Sequence, residues 1–209
     1  MKIYLAPLEG ITGYTYRRAF HQCFGGFDKY FIPFILPNQK GHLSTREKKD
    51  IAPENNEGMY AVPQILTKNA EDFIRTAETL QEYGYNEVNL NLGCPSKTVV
   101  TKGRGTLRNP ALAREIRGGA PASKEEIRRF HDIMYNEYCE DLSGDRNILF
   151  RMKELWSYLI PMFTNNKKYA KKIKKTEKCV VYESVVRELF SCEQLIDSND
   201  DSEKITGTL

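Results

Sequence analysis

The 209-residue sequence predicts an α/β fold built on a parallel sheet, followed by an all-helical region. Three observations predict it. Short apolar runs alternate with segments whose apolar residues recur at helical spacing. The runs are near-continuously apolar, as strands buried on both faces are. Beyond Ser96 the alternation stops, and only helical patterns follow.

The elements can be justified in order. Ile3, Tyr4, Leu5 and Ala6 form an apolar run that Pro7 stops, a buried first strand. Thr12 is placed to cap a helix over residues 14–23, which Gly25-Gly26 ends. Residues 29–36, rich in Tyr, Phe and Ile, read as a second strand, with Pro33 an irregularity in it. Residues 39–57 are polar, carry Pro53 and Asn55-Asn56, and predict a long surface loop. A third strand follows over residues 59–65. Asn69 then caps a helix in which Ala70, Phe73, Ile74, Ala77 and Leu80 keep helical spacing, and Gly84 closes it. In the fourth strand Val88, Leu90 and Leu92 alternate with Asn89 and Asn91, until Gly93-Cys94-Pro95 interrupts the pattern.

After a Gly-containing, basic loop over residues 97–105, Asn109-Pro110 starts a short helix that Gly118-Gly119 ends. Ser123 with Glu126 is a capping box for a long helix to about residue 142. Asp145 opens another, to about residue 163, with Phe150, Met152, Leu155, Trp156 and Leu159 on its apolar side. Residues 165–178 are strongly basic, and residues 179–190 suit a last helix. The expected divisions are an α/β domain over 1–118, a helical domain over 119–192 and a disordered polar tail over 193–209.

Composition narrows the function classes. With 31 basic and 28 acidic residues the net charge is only +3, so a nucleic-acid surface must come from local clustering. Five cysteines, an odd number without a CxxC pair, suit a reducing compartment and argue against a disulfide framework or a metal site. No apolar run approaches the roughly 18 residues of a membrane span, and the first residues are too short for a secretory signal. A cytoplasmic protein without membrane contact is expected.

One strand end carries the chemistry. Pro95 cannot join a sheet ladder and keeps Cys94 extended, so the thiol falls where sheet gives way to loop. Barrel and open α/β enzymes keep reactive groups there. A lone cysteine is more often a buried core residue; the strand-end setting singles this one out. Asn89 and Asn91, two residues apart, share one sheet face.

Asn89-Leu-Asn-Leu-Gly-Cys-Pro-Ser96, with Ala6-Pro-Leu-Glu-Gly-Ile-Thr12 and Val62-Pro-Gln64 before it, resembles the tRNA-dihydrouridine synthases. These flavoenzymes reduce a uridine of tRNA to dihydrouridine. The resemblance implies a (β/α)8, TIM-type barrel followed by a small helical domain, FMN as cofactor, NADPH as reductant and tRNA as partner. It implies Cys94 as the proton donor, a role that suits a thiol still protonated at neutral pH. It further puts Pro7, Leu8, Glu9 and Gln64 against the flavin ring, Gly103 and Arg104 at its phosphate, and Asn91 at the flavin or the uracil. On the helical side, Arg151 and Lys153, with Tyr158 beside them, resemble the surface that holds tRNA. Further basic candidates are Arg128, Arg129 and the run of lysines over 167–175.

Length conflicts with a whole barrel. A complete one takes about 250 residues, whereas only 118 precede Gly119. Residues 98–103 resemble the loop after the family's cysteine strand, while residues 103–113 resemble the phosphate loop and helix that end its barrel. The two are joined around residues 103–106, as if the second half had been excised. With it go the family's flavin-gripping lysine and histidine, and Gly13 stands where an acidic residue is usual. A partial barrel is therefore expected. Two other readings stand beside the synthase: another flavin barrel acting on a free pyrimidine, such as a dihydroorotate dehydrogenase, and an inactive remnant that still binds RNA.

Overall fold

The structure, a computed structural model, describes residues 1–38, 42–67, 69–91 and 109–196. These divide into two compact units, one holding residues 1–91 with Pro110–Pro121 and the other the residues from Ala122 on.

The first unit runs β1 (Tyr4–Leu5), α1 (Tyr14–Cys23), β2 (Lys29–Ile35), α2 (Thr45–Ile51), a 3-10 turn (Pro53–Asn56), β3 (Ala61–Leu66), α3 (Ala70–Glu82), β4 (Asn89–Asn91) and α4 (Leu112–Ile116). All four strands are parallel and lie in chain order, β1-β2-β3-β4. That is half the strand set of a (β/α)8 barrel. Among the described residues β1 and β4 each pair on one side only. Pro33 accompanies a register shift between Ile32 and Ile35, the irregularity expected where a strand residue has no N–H to donate.

One face of the sheet carries the core, in which Ile32, Ile35, Ile51, Ile65 and Leu80 are buried, with Phe73, Ala77 and Val88 packed against them. Ala70 and Ile74, expected on the apolar face of α3, are exposed, and Thr76 is buried in their place. The predicted loop over residues 39–57 is largely helical. Ser44 and Glu47 form a capping box for α2, and Pro53 opens the 3-10 turn. The helix buries only Asp50 and Ile51, which gave the sequence no apolar period to show.

Thr12 does not cap α1. Its hydroxyl receives the Leu8 N–H at 2.7 Å and donates to the Leu8 carbonyl, closing the loop after β1. The cap comes from 36 residues away, where Asp50 Oδ1 accepts the Tyr14 N–H at 2.6 Å. Behind it lies the fully buried Arg17, whose guanidinium donates to Thr12 O, Asp50 O and Asn56 Oδ1 at 2.9, 2.6 and 2.9 Å. Asp50 Oδ1 lies 3.5 Å from it. Burial pulls the Arg17 guanidinium below its ordinary range, and the Asp50 charge opposes that pull.

Helix α4 returns to the start of the unit. Arg117 donates to Gly26 O at 2.6 Å and pairs with Asp28 at 2.8 Å. Asp28 in turn accepts the Ile3 N–H. Gly26 has φ +82, a conformation that would strain any side chain placed there, and a Cβ on it would stand in van der Waals contact with Ala113 of the helix.

The second unit contains α5 (Lys124–Asp141), α6 (Asp145–Leu159), a 3-10 turn (Ile160–Met162), α7 (Asn166–Lys175) and α8 (Cys179–Cys192). Ser123 and Glu126 form the expected capping box. On α6, Met152, Leu155, Trp156 and Leu159 are buried as expected, but Phe150 faces outward. Tyr158, expected at the tRNA-binding surface, is buried instead, because it lies one turn from Leu155 on the packed side. The first residues of the expected tail are ordered. Glu193 is buried and accepts from Thr164 and Asn165 at 2.6 and 2.9 Å, and the Ile196 N–H donates to Met162 O. Residues 197–209 lie outside the described residues.

A polar chain runs through this second core. Trp156 Nε1–H donates to the Tyr182 hydroxyl at 2.7 Å, which lies 2.6 Å from His131 Nε2, while His131 Nδ1 lies 2.8 Å from Asp132. Tyr182 has one hydroxyl proton, and its oxygen already accepts from Trp156. The Asp132 carboxylate can only accept, so the Nδ1 proton faces it, and the neutral imidazole that burial favours leaves Nε2 to accept the Tyr182 proton. Burial holds the imidazole below its ordinary range, against the pull of the Asp132 hydrogen bond.

Two tests follow from these networks. Asp50→Ala strips the buried Arg17 of its carboxylate and α1 of its cap, a loss expected to cost about 3 kcal/mol or more. Hydrogen exchange of the α1 amides should quicken on the order of a hundredfold; unaltered protection would show that the network is dispensable. For His131, a lowered folded pKa means that stability is intact above the unfolded value near pH 6.5 and is lost as pH falls toward the folded one. The urea midpoint reported by Trp156 fluorescence should thus drop between about pH 7 and pH 5. His131→Gln should be less stable at neutral pH but lack that slope.

Candidate functional site

Parallel strands put all their carboxyl ends at one edge of the sheet, and the predicted residues distribute along it. Pro7, Leu8 and Glu9 follow β1; Gln64 lies in β3 and Asn91 ends β4. The register sets Gln64 opposite Asn89 and Leu66 opposite Asn91. Gln64 is buried and joins both asparagines: its Nε2 donates to Asn89 Oδ1 at 2.9 Å, and its Oε1 accepts from Asn91 Nδ2 at 3.3 Å. Two bonds to one side chain place Asn89 and Asn91 on a common face, as their spacing requires.

The result is a three-amide ladder, Asn91 to Gln64 to Asn89, with a fixed donor direction. These two bonds use one of Gln64's two N–H groups and one of its two carbonyl lone pairs. Such a ladder fits the polar edge of a planar heterocycle, which needs a donor and an acceptor side by side. The loop after β1 contributes rigidity. The Leu8 carbonyl accepts from the N–H groups of Ile11 and Thr12 and from the Thr12 hydroxyl, and its N–H goes to that same hydroxyl. Leu8's main chain is thus engaged in closing the loop. Glu9 borders a cleft of about 170 Å³ at the end of β2, with Pro33, Leu36 and Arg46. Cys94, Gly103 and Arg104 lie outside the described residues.

Before β4, at the opposite end, Lys29 Nζ lies 2.5 and 2.7 Å from the two Glu87 oxygens, and Tyr60 donates to Glu87 at 2.8 Å. The Lys29 and Tyr60 hydrogen bonds hold the Glu87 carboxyl below its usual range. The two ends of the strands therefore differ in kind: a closed ion pair at one, neutral amides at the other.

The basic candidates of the helical unit are mostly engaged. Arg128 grips Asp132 with bonds of 2.8 and 3.0 Å and stands over the Phe190 ring. Lys153 Nζ donates to Thr176 O at 2.6 Å, and Arg151 is 3.7 Å from Glu154. On α7, Tyr169 and Ile173 face the core while Lys168 and Lys172 meet Glu188. Lys167, Lys171, Lys174 and Lys175 point outward. His131 and the outward Phe150 are the positions that sequence reasoning passed over: no motif surrounds His131, and helical spacing assigns Phe150 to the core. Among the described residues no cluster of three or more metal-binding side chains is present, and no helix is long and apolar enough to cross a membrane.

Four parallel strands in chain order, with paired amides toward their carboxyl ends, define a partial TIM-type α/β barrel. The dihydrouridine synthase family profile matches residues 4–118, and the chain belongs to that family. It is 30% identical over 117 residues to tRNA-dihydrouridine synthase B of Pasteurella multocida, covering 55% of this chain and 34% of that protein. A probable tRNA-dihydrouridine synthase of Staphylococcus aureus is 28% identical over 157 residues, 67% of this chain and 47% of its own length. The tRNA-dihydrouridine(16) synthase of Pseudomonas putida is 32% identical over 136 residues, 59% and 41% respectively. The chain spans between about a third and a half of the length of these relatives.

Proposed function

We propose that this protein acts in the cytoplasm as a tRNA-dihydrouridine synthase, an FMN-dependent oxidoreductase that takes its reducing equivalents from NADPH. The observation that carries the reading is the amide ladder of Asn91, Gln64 and Asn89, at strand ends matched by the family profile. When bound and reduced, FMN supplies a hydride to C6 of a uracil.

The remaining steps belong to the chain. Gln64 holds the pyrimidine edge of the ring, and the rigid loop Pro7-Leu8-Glu9 sets its plane. Gly103 and Arg104 hold the phosphate through backbone N–H groups and a positive charge. Asn91, oriented by its bond to Gln64, presents its amide to the uracil or the ring. Cys94 donates its thiol proton to C5 from the face opposite the hydride. Cysteine thiols as a class are mostly protonated at neutral pH, and solvent restores the proton afterwards. Arg151, Lys153 and the outward lysines of α7 neutralise tRNA phosphates, which makes binding fall steeply with salt.

A second reading, an inactive remnant that retains RNA binding, is favoured by the four strands among the described residues, half the set of a (β/α)8 barrel. Flavin separates the two. Protein purified with added FMN should be yellow, and tRNA incubated with it and NADPH should gain dihydrouridine by mass spectrometry. Cys94→Ala should keep the colour and lose product formation by about a hundredfold or more; undiminished turnover would remove Cys94 from the chemistry. A colourless protein that still retards tRNA would establish the remnant.

A further inference from the structure

Among the described residues of the helical unit, Phe150 is the exposed aromatic, beside the exposed aliphatic Val180 and Val181. Its helix buries seven side chains, yet this ring is 67% exposed, more than Tyr60 at 56% or Tyr4 at 44%. It is set in a groove of about 690 Å³ with Arg146, Asn147, Lys153, Thr176 and Glu177. Arg146 and Asn147 lie four and three residues before Phe150, and Lys153 three after it, so each neighbours Phe150 on the surface of α6. The volume falls within the roughly 300–1,000 Å³ of small-molecule sites.

The chemistry of the lining is specific. Phe150 offers a flat π-face, and the Arg151 guanidinium carbon lies 6.0 Å from its centroid. Two cations, Arg146 and Lys153, line the groove against one carboxylate, Glu177. Lys153 is pinned to Thr176 O across it, so its charge has a fixed place. Asn147 and Glu177 can accept from or donate to a polar ring edge as their types allow. Aromatic face, flanking cations and a polar rim are the three requirements of an unpaired nucleotide. An apolar protein partner would have no use for the cations, and duplex RNA would leave the ring unused.

We propose that this groove captures an unstacked nucleotide of single-stranded RNA, with the base on Phe150 and phosphates beside Arg146 and Lys153. The proposal rests on the RNA-binding part of the function above and not on its redox chemistry. It adds, on the helical unit, a second grip on the substrate that reads an unpaired segment.

The full chain is titrated with a fluorescein-labelled oligouridylate of about ten nucleotides, followed by anisotropy. Phe150→Ala and Phe150→Leu should each weaken binding by about tenfold or more, whereas Phe150→Tyr should bind nearly as the parent does. Phe150→Trp adds a second tryptophan to the buried Trp156, and its fluorescence should be quenched by the oligonucleotide. Arg146→Gln should lessen the dependence of affinity on salt by about one phosphate's worth. Equal binding by the alanine variant overturns the site. Equal binding by the leucine variant overturns stacking. Dihydrouridine formation by a chain that ignores the oligonucleotide would refute this proposal alone. Phe150-dependent binding by a chain that forms no dihydrouridine would support it while refuting the catalytic reading.

Discussion

The buried guanidinium of Arg17 is the contact on which the first unit depends. It joins the loop after β1 through Thr12 O, the end of α2 through Asp50 and the 3-10 turn through Asn56. A charge without water is costly unless every donor is used. Here three segments, the farthest of them 39 residues from Arg17 in sequence, must meet for that condition to hold. The arrangement also fixes the loop bearing Pro7, Leu8 and Glu9, because Asp50 caps the helix that follows it. A site on strand ends needs such a brace, since loops alone would leave those residues free to wander.

Much of this was legible in the sequence, and the failures share a cause. The alternation of strands and helices was visible because buried parallel strands are apolar throughout, and the two asparagines of β4 were visible because strand periodicity is two. α2 was not, since a helix that buries only its last two residues leaves no periodic trace. Nor was the cap of α1, because the partner of Tyr14 lies in another element, and Thr12 was the nearest residue of the right type. Phe150 and Tyr158 were exchanged between core and surface. A helix with aromatics on several faces does not tell from spacing alone which face will be packed.

The strand-end amides show how a neutral site is built inside a charged protein. Gln64, Asn89 and Asn91 satisfy one another, so the ladder can be buried without an ion. At the other end of the same strands, Lys29 and Glu87 neutralise each other within 2.7 Å. Of the side chains joined across neighbouring strands here, those at one end are an ion pair and those at the other are neutral amides. In the second unit the Trp156, Tyr182, His131 and Asp132 chain follows the same rule, with one proton assigned to each link.

Arg117 reaches back 91 residues to Gly26 and 89 to Asp28, beside the first strand. A nascent chain leaving the ribosome cannot complete this unit when β4 emerges; it must wait until α4 is also clear. Through that interval the turn before β2 lacks its Arg117 contacts at Gly26 and Asp28, and the assembling sheet is open to chaperones and to other copies of itself. The rate of elongation through residues 92–117 therefore sets how long the chain stays exposed to those encounters.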